Sequence, residues 1–203
     1  MDTMRRAPVQ ERSAARVERM LDVCGRLIDD VGYEATTTTM IAKRAEVSVG
    51  SLYQFFPDKR AVVQALAQRN LDTYLARLGQ ALAERRLAHW WDMIDVAADV
   101  YVDLHREIPG FRVIRFGDVV DTHLLQPEED NDQVLALRLF GLVRAMFGVD
   151  LSAEEQLVVV VLIKAADAVT KYAFRSPEGD PQVMDELKVL MNAYLGARLD
   201  TGT

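Results

Sequence analysis

The 203-residue sequence predicts an all-α protein of about nine helices, on three observations. Apolar residues recur at the i, i+3, i+4, i+7 spacing over long stretches. Ser, Thr, Asp, Pro and Gly stand where helix starts and stops need them. The one run that invites a strand, the threonines at 36–39, is brief and leads into MIAKRA, which reads as helix.

The first helix is expected over residues 14–31. Val17, Met20, Leu21, Cys24, Leu27, Ile28 and Val31 share one face, Ser13 is placed to cap the start, and Gly32 stands where a left-handed stop residue is usual. One of the threonines caps a second helix, roughly 38–45. Glu46 and Val47 form a turn, and Ser48 caps a third helix over 49–55. Phe56-Pro57 ends it, because the residue before proline avoids helical angles. Asp58 caps a fourth helix from 59 to about 85. A fifth spans 89–106, with Trp90, Ile94, Ala97, Tyr101 and Leu104 on one face. Pro109-Gly110 breaks the chain before a short helix around 111–118. Gln126-Pro127 opens the next helix, with Glu128, Glu129 and Asp130 at the positive end of its dipole and Gly148 as its stop. Ser152-Ala-Glu-Glu155 is a capping box for a helix to about 175, and Asp180-Pro181 opens the last, to about 199.

Composition is that of a globular chain, 50% apolar and 27% charged. The longest apolar run, residues 157–163, is far shorter than the ~20 residues of a membrane span. No signal-peptide pattern is visible and the single cysteine, Cys24, has no internal partner, so a cytoplasmic, reducing setting is expected, with Cys24 in the core. The net charge of −7 argues by itself against nucleic acid. It is unevenly spread: residues 1–60 hold ten basic and nine acidic side chains, and the remainder 14 against 22. The acidity therefore belongs to the C-terminal part, and the local field is what a phosphate meets.

A short helix, a tight turn and a second short helix behind a longer one form a helix-turn-helix. A helix that enters a major groove ~12 Å wide needs small or polar outward residues. Val49, Ser51 and Gln54 supply them, Gly50 permits close backbone approach, and Leu52, Phe55 and Phe56 anchor the helix. Thr37, Thr38, Tyr53 and Lys59 are suited to phosphate, with backbone N–H groups at the two helix starts. An unstructured arm carrying Arg5, Arg6 and Arg12 is a further DNA-binding candidate, set against a solvated tail.

The run Gly32-Tyr33-Glu34-Ala35-Thr36-Thr37, then Ile41-Ala42, then Ala45-Glu46-Val47-Ser48-Val49-Gly50-Ser51-Leu52-Tyr53-Gln54-Phe55-Phe56-Pro57-Asp58-Lys59, resembles the DNA-binding domain of the TetR family. The resemblance implies a helix-turn-helix domain over residues 1–57 and a helical ligand-binding and dimerisation domain over 58–203. It puts phosphate contacts at Thr37, Thr38, Tyr53 and Lys59, and base contacts at Ser48, Val49, Ser51 and Gln54, with Gly50 in the interface and Arg44 a further contact. Val49 stands where the family often has a charge, which suggests contact with a thymine methyl. Arg60-Ala61 replaces the usual acidic residue after the lysine.

The same resemblance implies a homodimer built from the last two long helices. The apolar run at 157–163 supports it, because a helix apolar on all sides must bury against two layers. Leu157, Val161, Leu187, Leu190, Met191 and Tyr194 are the expected interface. The middle helices would enclose a cavity for a small, largely apolar effector, lined by Trp90, Met93, Tyr101, Phe111, Arg115, Phe116, Met146 and Phe147. His89, His105 and His123 share no metal-ligand spacing, and no phosphate loop or nucleophile motif appears, so no metal, no cofactor and no enzymatic activity are expected. The expected function is a repressor released from a palindromic double-stranded operator by its ligand. The rival readings are a helical small-molecule-binding protein or enzyme without a DNA role, and an activator without a small ligand.

Overall fold

The computed structural model describes residues 6–87, 89–111, 131–176 and 178–199. Among the described residues the fold is all-helical, as expected: eight α-helices and one 3-10 turn, with no strand. The described chain divides into two compact units, one taking Met1–Arg69 with Pro109–Ile114, the other Asn70–Ile108 with Arg115–Thr203.

The first unit opens with α1, Arg6–Ala35. It starts a full two turns before the expected cap, so Ser13 is a mid-helix residue and Arg12 is helical, which corrects the expectation of an unstructured arm at Arg12. Pro8 explains the early start, since proline is tolerated in a first turn where its missing N–H has no helical partner. Gly32 has φ +82°, the left-handed stop expected there, and the chain makes one more turn to Ala35 beyond it. Helix α2, Thr38–Arg44, is capped by Thr37, whose hydroxyl accepts from Met40 N. Helix α3, Val49–Tyr53, is capped by Ser48, whose Oγ accepts from Ser51 N at 3.0 Å. It is shorter than the expected span to 55. Asp58 Oδ1 accepts from Ala61 N at 2.7 Å at the start of α4, Lys59–Ala83. The core takes Met20, Leu21, Cys24, Leu27 and Ile28 from α1, Ile41 and Ala42 from α2, Leu52 from α3, and Val62, Val63 and Leu66 from α4.

Two glycines set a close approach inside this unit. A Cβ on Gly25 would lie 2.5 Å from Pro109 O, and one on Gly110 would lie 2.5 Å from Gly25 Cα. Asp29 Oδ2 accepts from Gly110 N at 2.7 Å, and Phe111 beside it is fully buried. The turn at 109–111 is thus held to α1 by backbone contact.

In the second unit the expected helix at 89–106 begins as a 3-10 turn, Trp90–Asp92, and continues as α5, Met93–Glu107. Helix α6 is Asn131–Phe147, ended by Gly148 at φ +67°. Helix α7, Ala153–Ala173, has the expected reciprocal capping box: Ser152 N donates to Glu155 Oε2 at 2.7 Å, and Glu155 N to Ser152 Oγ at 3.3 Å. Helix α8, Pro181–Leu199, starts at Asp180, whose Oδ1 accepts from Gln182 N and Val183 N. Helix α7 packs on α6 and α8, and α8 on α5. Their buried cluster includes Ile94, Val158, Leu162, Phe174, Met184, Leu187, Met191 and Leu195. The expected short helix beyond Phe111 and the helix start at Pro127 lie outside the described residues.

Candidate nucleic-acid interface and ligand cavity

The turn between α2 and α3 brings its outward residues together. Glu46 takes φ +57°, a left-handed conformation that turns the chain sharply. Leu52 is fully buried and Phe56 nearly so, which fixes α3 by one face, while Phe55 is half-buried. The opposite face presents Ser48, Val49, Gly50, Tyr53 and Gln54 exposed and Ser51 half-buried. Thr38 Oγ1 and Tyr53 OH lie 3.1 Å apart, so the start of α2 and the end of α3 share one hydroxyl pair. Thr37 is exposed beside it. Apart from Val49 and Tyr53 the exposed side chains at α3 are small or polar, and none is charged, which suits a groove-entering face.

Two basic residues expected at this surface have protein partners. Lys59 Nζ donates to Tyr33 O at 2.9 Å and lies 4.1 Å from the centroid of the Tyr33 ring, so it closes the last turn of α1. Arg44 Nη1 pairs with Asp30 Oδ2 at 2.8 Å, joining α2 to α1, with both side chains still about half exposed. Spacing could not show either partner, since both are distant in sequence. Arg5 lies outside the described residues, and Arg6 opens α1.

The second unit holds an apolar cavity of about 80 Å³. Its walls come from Tyr74 on α4, Ile94 and Tyr101 on α5, Leu135 and Leu139 on α6, Leu162, Asp167 and Thr170 on α7, and Met184 and Met191 on α8. Burial pushes the Tyr74 phenol far up from its ordinary value, and its hydroxyl donates to Ala97 O at 3.4 Å. Of the residues expected to line a cavity, Tyr101 does so. Trp90 and Met93 are buried but do not line it, because on α5 Met93 lies about 90° around the helix from the Ile94, Ala97, Ala98, Tyr101 face. Phe111 belongs to the first unit, Met146 is exposed and Phe147 half-buried, and neither of the last two reaches the walls. Arg115 and Phe116 lie outside the described residues. The contributions of α7 and α8 escaped the sequence reading; the signal was Asp167 and Thr170, polar residues in an apolar helix.

The α7 and α8 residues expected to pair subunits divide into two sets. Leu157, Val161 and Leu190 are exposed, Leu157 by 60%. Leu187 and Met191 are buried in the protomer's own core, and Tyr194 packs partly against it. Among the described residues no three His, Cys, Asp or Glu side chains are grouped to hold a metal, and no helix is long and apolar enough to cross a membrane.

Residues 21–66 match the family model described as bacterial regulatory proteins, tetR family, and residues 88–199 match the tetracyclin repressor-like C-terminal domain. The solved structure of a TetR-family transcriptional regulator from Streptomyces coelicolor is 37% identical, covers 92% of this chain and 99% of that one, and superposes with a TM-score of 0.78. The HTH-type transcriptional regulator HbdR of Aromatoleum sp. (strain CIB) is 28% identical over 49% of this chain and 48% of its own. The HTH-type transcriptional repressor KstR of Rhodococcus jostii (strain RHA1) is 44% identical over 26% of each. The matched part thus spans about half or less of these curated relatives.

Proposed function

The chain belongs to the tetR family of bacterial regulatory proteins, and on that premise we propose that it is a dimeric repressor that leaves its operator when a small apolar molecule fills the cavity of its second unit. The observation that carries the reading is the exposed polar face of α3, with Ser48, Ser51 and Gln54 outward and Tyr53 tied to Thr38. Ser48, Val49, Ser51 and Gln54 read base edges, Val49 by contact with a thymine methyl, and Gly50 lets the backbone come close. Thr37, Thr38 and Tyr53 hold phosphates and set the register. Lys59 and Arg44 act through position, the first by closing α1 and the second by fixing α2, while their remaining donors face the backbone of the duplex.

Two copies pair through the outward residues of α7 and α8, Leu157, Val161 and Leu190. A two-fold dimer then presents its α3 helices to two half-sites of a palindrome. The cavity is smaller than the ~150 Å³ site that holds benzene in an engineered core. A ligand therefore enters by displacing wall side chains, and Met184 and Met191 are the adaptable ones. Helix α4 carries both Tyr74 in the cavity wall and Lys59 at its start. Ligand that favours one position of α4 shifts the population toward it, and operator affinity changes by the differential affinity for the two states.

Selection of bound duplexes from a random library tests the DNA role, with ultracentrifugation for the dimer. The expected result is enrichment of one palindrome, lost in Gln54→Ala and Ser51→Ala. No enrichment would leave a helical binding protein without a DNA role. A screen of apolar compounds by thermal shift, followed by operator affinity with each hit, tests release. Hits that bind and leave operator affinity unchanged remove the coupling.

A further inference from the structure

Helix α1 carries a line of positive charge that the reading surface does not use. Arg12, Arg16 and Arg19 follow one another at spacings of four and three residues, so they share one face over ~10.5 Å of helix. All three are exposed, and none of the described residues offers them an ion-pair partner. Like charges at these spacings oppose helix formation, yet α1 runs through them.

Four of the acids of the same helix are held elsewhere. Glu18 and Asp22 both accept from Arg69 Nη1 on α4, at 3.0 and 2.7 Å, Asp29 accepts from Gly110 N, and Asp30 pairs with Arg44. None of these four acids pairs with the line of arginines. Its direction is set by Asp30, which follows Arg12 by 18 residues, five full helical turns, and so lies on the same face. Asp30 contacts α2 through Arg44. The arginines lie on the α2 side of α1, about 16 to 27 Å back along its axis from that contact. That is roughly half a ~34 Å duplex turn or more from the end of α2.

We propose that Arg12, Arg16 and Arg19 form a phosphate track that grips the duplex flanking the bases read by α3. The partner is DNA backbone, selected by charge and not by sequence, and the proposal rests on the regulator reading above. It replaces the expected arm with a rigid helical contact. Phosphate contacts of this kind position a protein on its site and strengthen binding in a salt-dependent way, each neutralised phosphate contributing about 0.9 to the slope of log K against log salt.

The test compares the full chain with the triple variant Arg12→Gln, Arg16→Gln and Arg19→Gln, in which glutamine keeps length and helix propensity. Each is titrated against the selected palindrome trimmed to its reading sites and against the same palindrome with a turn of arbitrary duplex on each side. The unsubstituted protein is expected to bind the extended duplex more tightly than the trimmed one. The variant should bind both alike, keep wild-type affinity for the trimmed duplex, and lose about 2.7 of the salt slope per protomer on the extended one. Hydroxyl-radical footprinting of the unsubstituted protein should show flanking protection, a readout independent of the variant's folding. Protection confined to the reading sites overturns the track. So does a variant that retains the slope, which would leave the arginines to an acidic protein partner, or one that loses trimmed and extended duplexes equally. If the unsubstituted protein selects no DNA at all, the regulator reading itself fails and the track falls with it.

Discussion

The hydroxyls of Thr38 and Tyr53 lie 3.1 Å apart and tie the first turn of α2 to the last residue of α3. The Tyr53 side chain is half exposed, so this pair contributes little to folding and its donors and acceptors remain open to a phosphate. Tyr53→Phe should leave the unfolding midpoint nearly unchanged. Operator affinity should fall by a factor of about 3 to 10, which corresponds to the ~0.5–1.5 kcal/mol of one hydrogen bond. Fluorescence anisotropy with the selected palindrome, beside a thermal melt, separates the two effects. A stability loss equal to the binding loss would make the pair a fold element only.

Lys59 has the opposite character. Its ammonium donates to Tyr33 O, which also accepts from Thr36 N, and to Glu34 O, and it stands over the Tyr33 ring, so it reinforces the end of α1. Lys59→Ala is expected to cost about 1–2 kcal/mol of stability by urea unfolding, from a charge-assisted bond and a cation–π contact. An unfolding curve that does not move would return Lys59 to a purely DNA-facing role.

Gly25 and Gly79 are both helical glycines, yet alanine should act on them with opposite sign. At Gly25 a methyl would meet the Pro109 carbonyl oxygen at 2.5 Å, and backbone cannot swing away as a flexible side chain would. Gly25→Ala should destabilise by about 1–3 kcal/mol. At Gly79 nothing lies within 4 Å, and alanine should stabilise by about 0.5–1 kcal/mol through the unfolded chain and helix propensity. Paired thermal melts check the signs.

Burial pushes the Cys24 thiol up to about 12, with Arg69 and Lys59 opposing only in part. At pH 8 the thiolate is almost absent and a thiol reagent should label the native protein only as fast as it opens. The sign for stability follows: Cys24 contributes fully below the unfolded value near 9.0 and loses its contribution as pH rises from there toward about 12. Cys24→Ala should flatten that alkaline decline in urea midpoints. Rapid native labelling at pH 8 would contradict the burial.

Much of this molecule is legible locally. Thr37, Ser48, Asp58, Ser152 and Asp180 all cap the helices they precede, because a cap is a contact within a few residues and needs no distant partner. Gly32 interrupts α1 and Gly148 ends α6 for the same reason. Helix α1 starts before the cap that Ser13 imitates, because Pro8 fits a first turn where its missing N–H has no helical partner. The cavity was harder. Met93 and Ile94 are adjacent and both buried, and only the rotation of α5 against its neighbours puts Ile94 in the wall.

The sequence by itself determined the class of the fold, the helix-turn-helix and the face of α3, since periodicity, capping and a dense motif act over short distances. Only the tertiary structure decided that Lys59 serves Tyr33, that Arg44 serves Asp30, that Leu187 and Met191 turn inward while Leu157 and Leu190 stay outside, and that Arg12, Arg16 and Arg19 are exposed with no ion-pair partner among the described residues. Charge pairing and burial depend on residues brought together from 14 to tens of positions away, and one chain read in order carries no measure of that proximity.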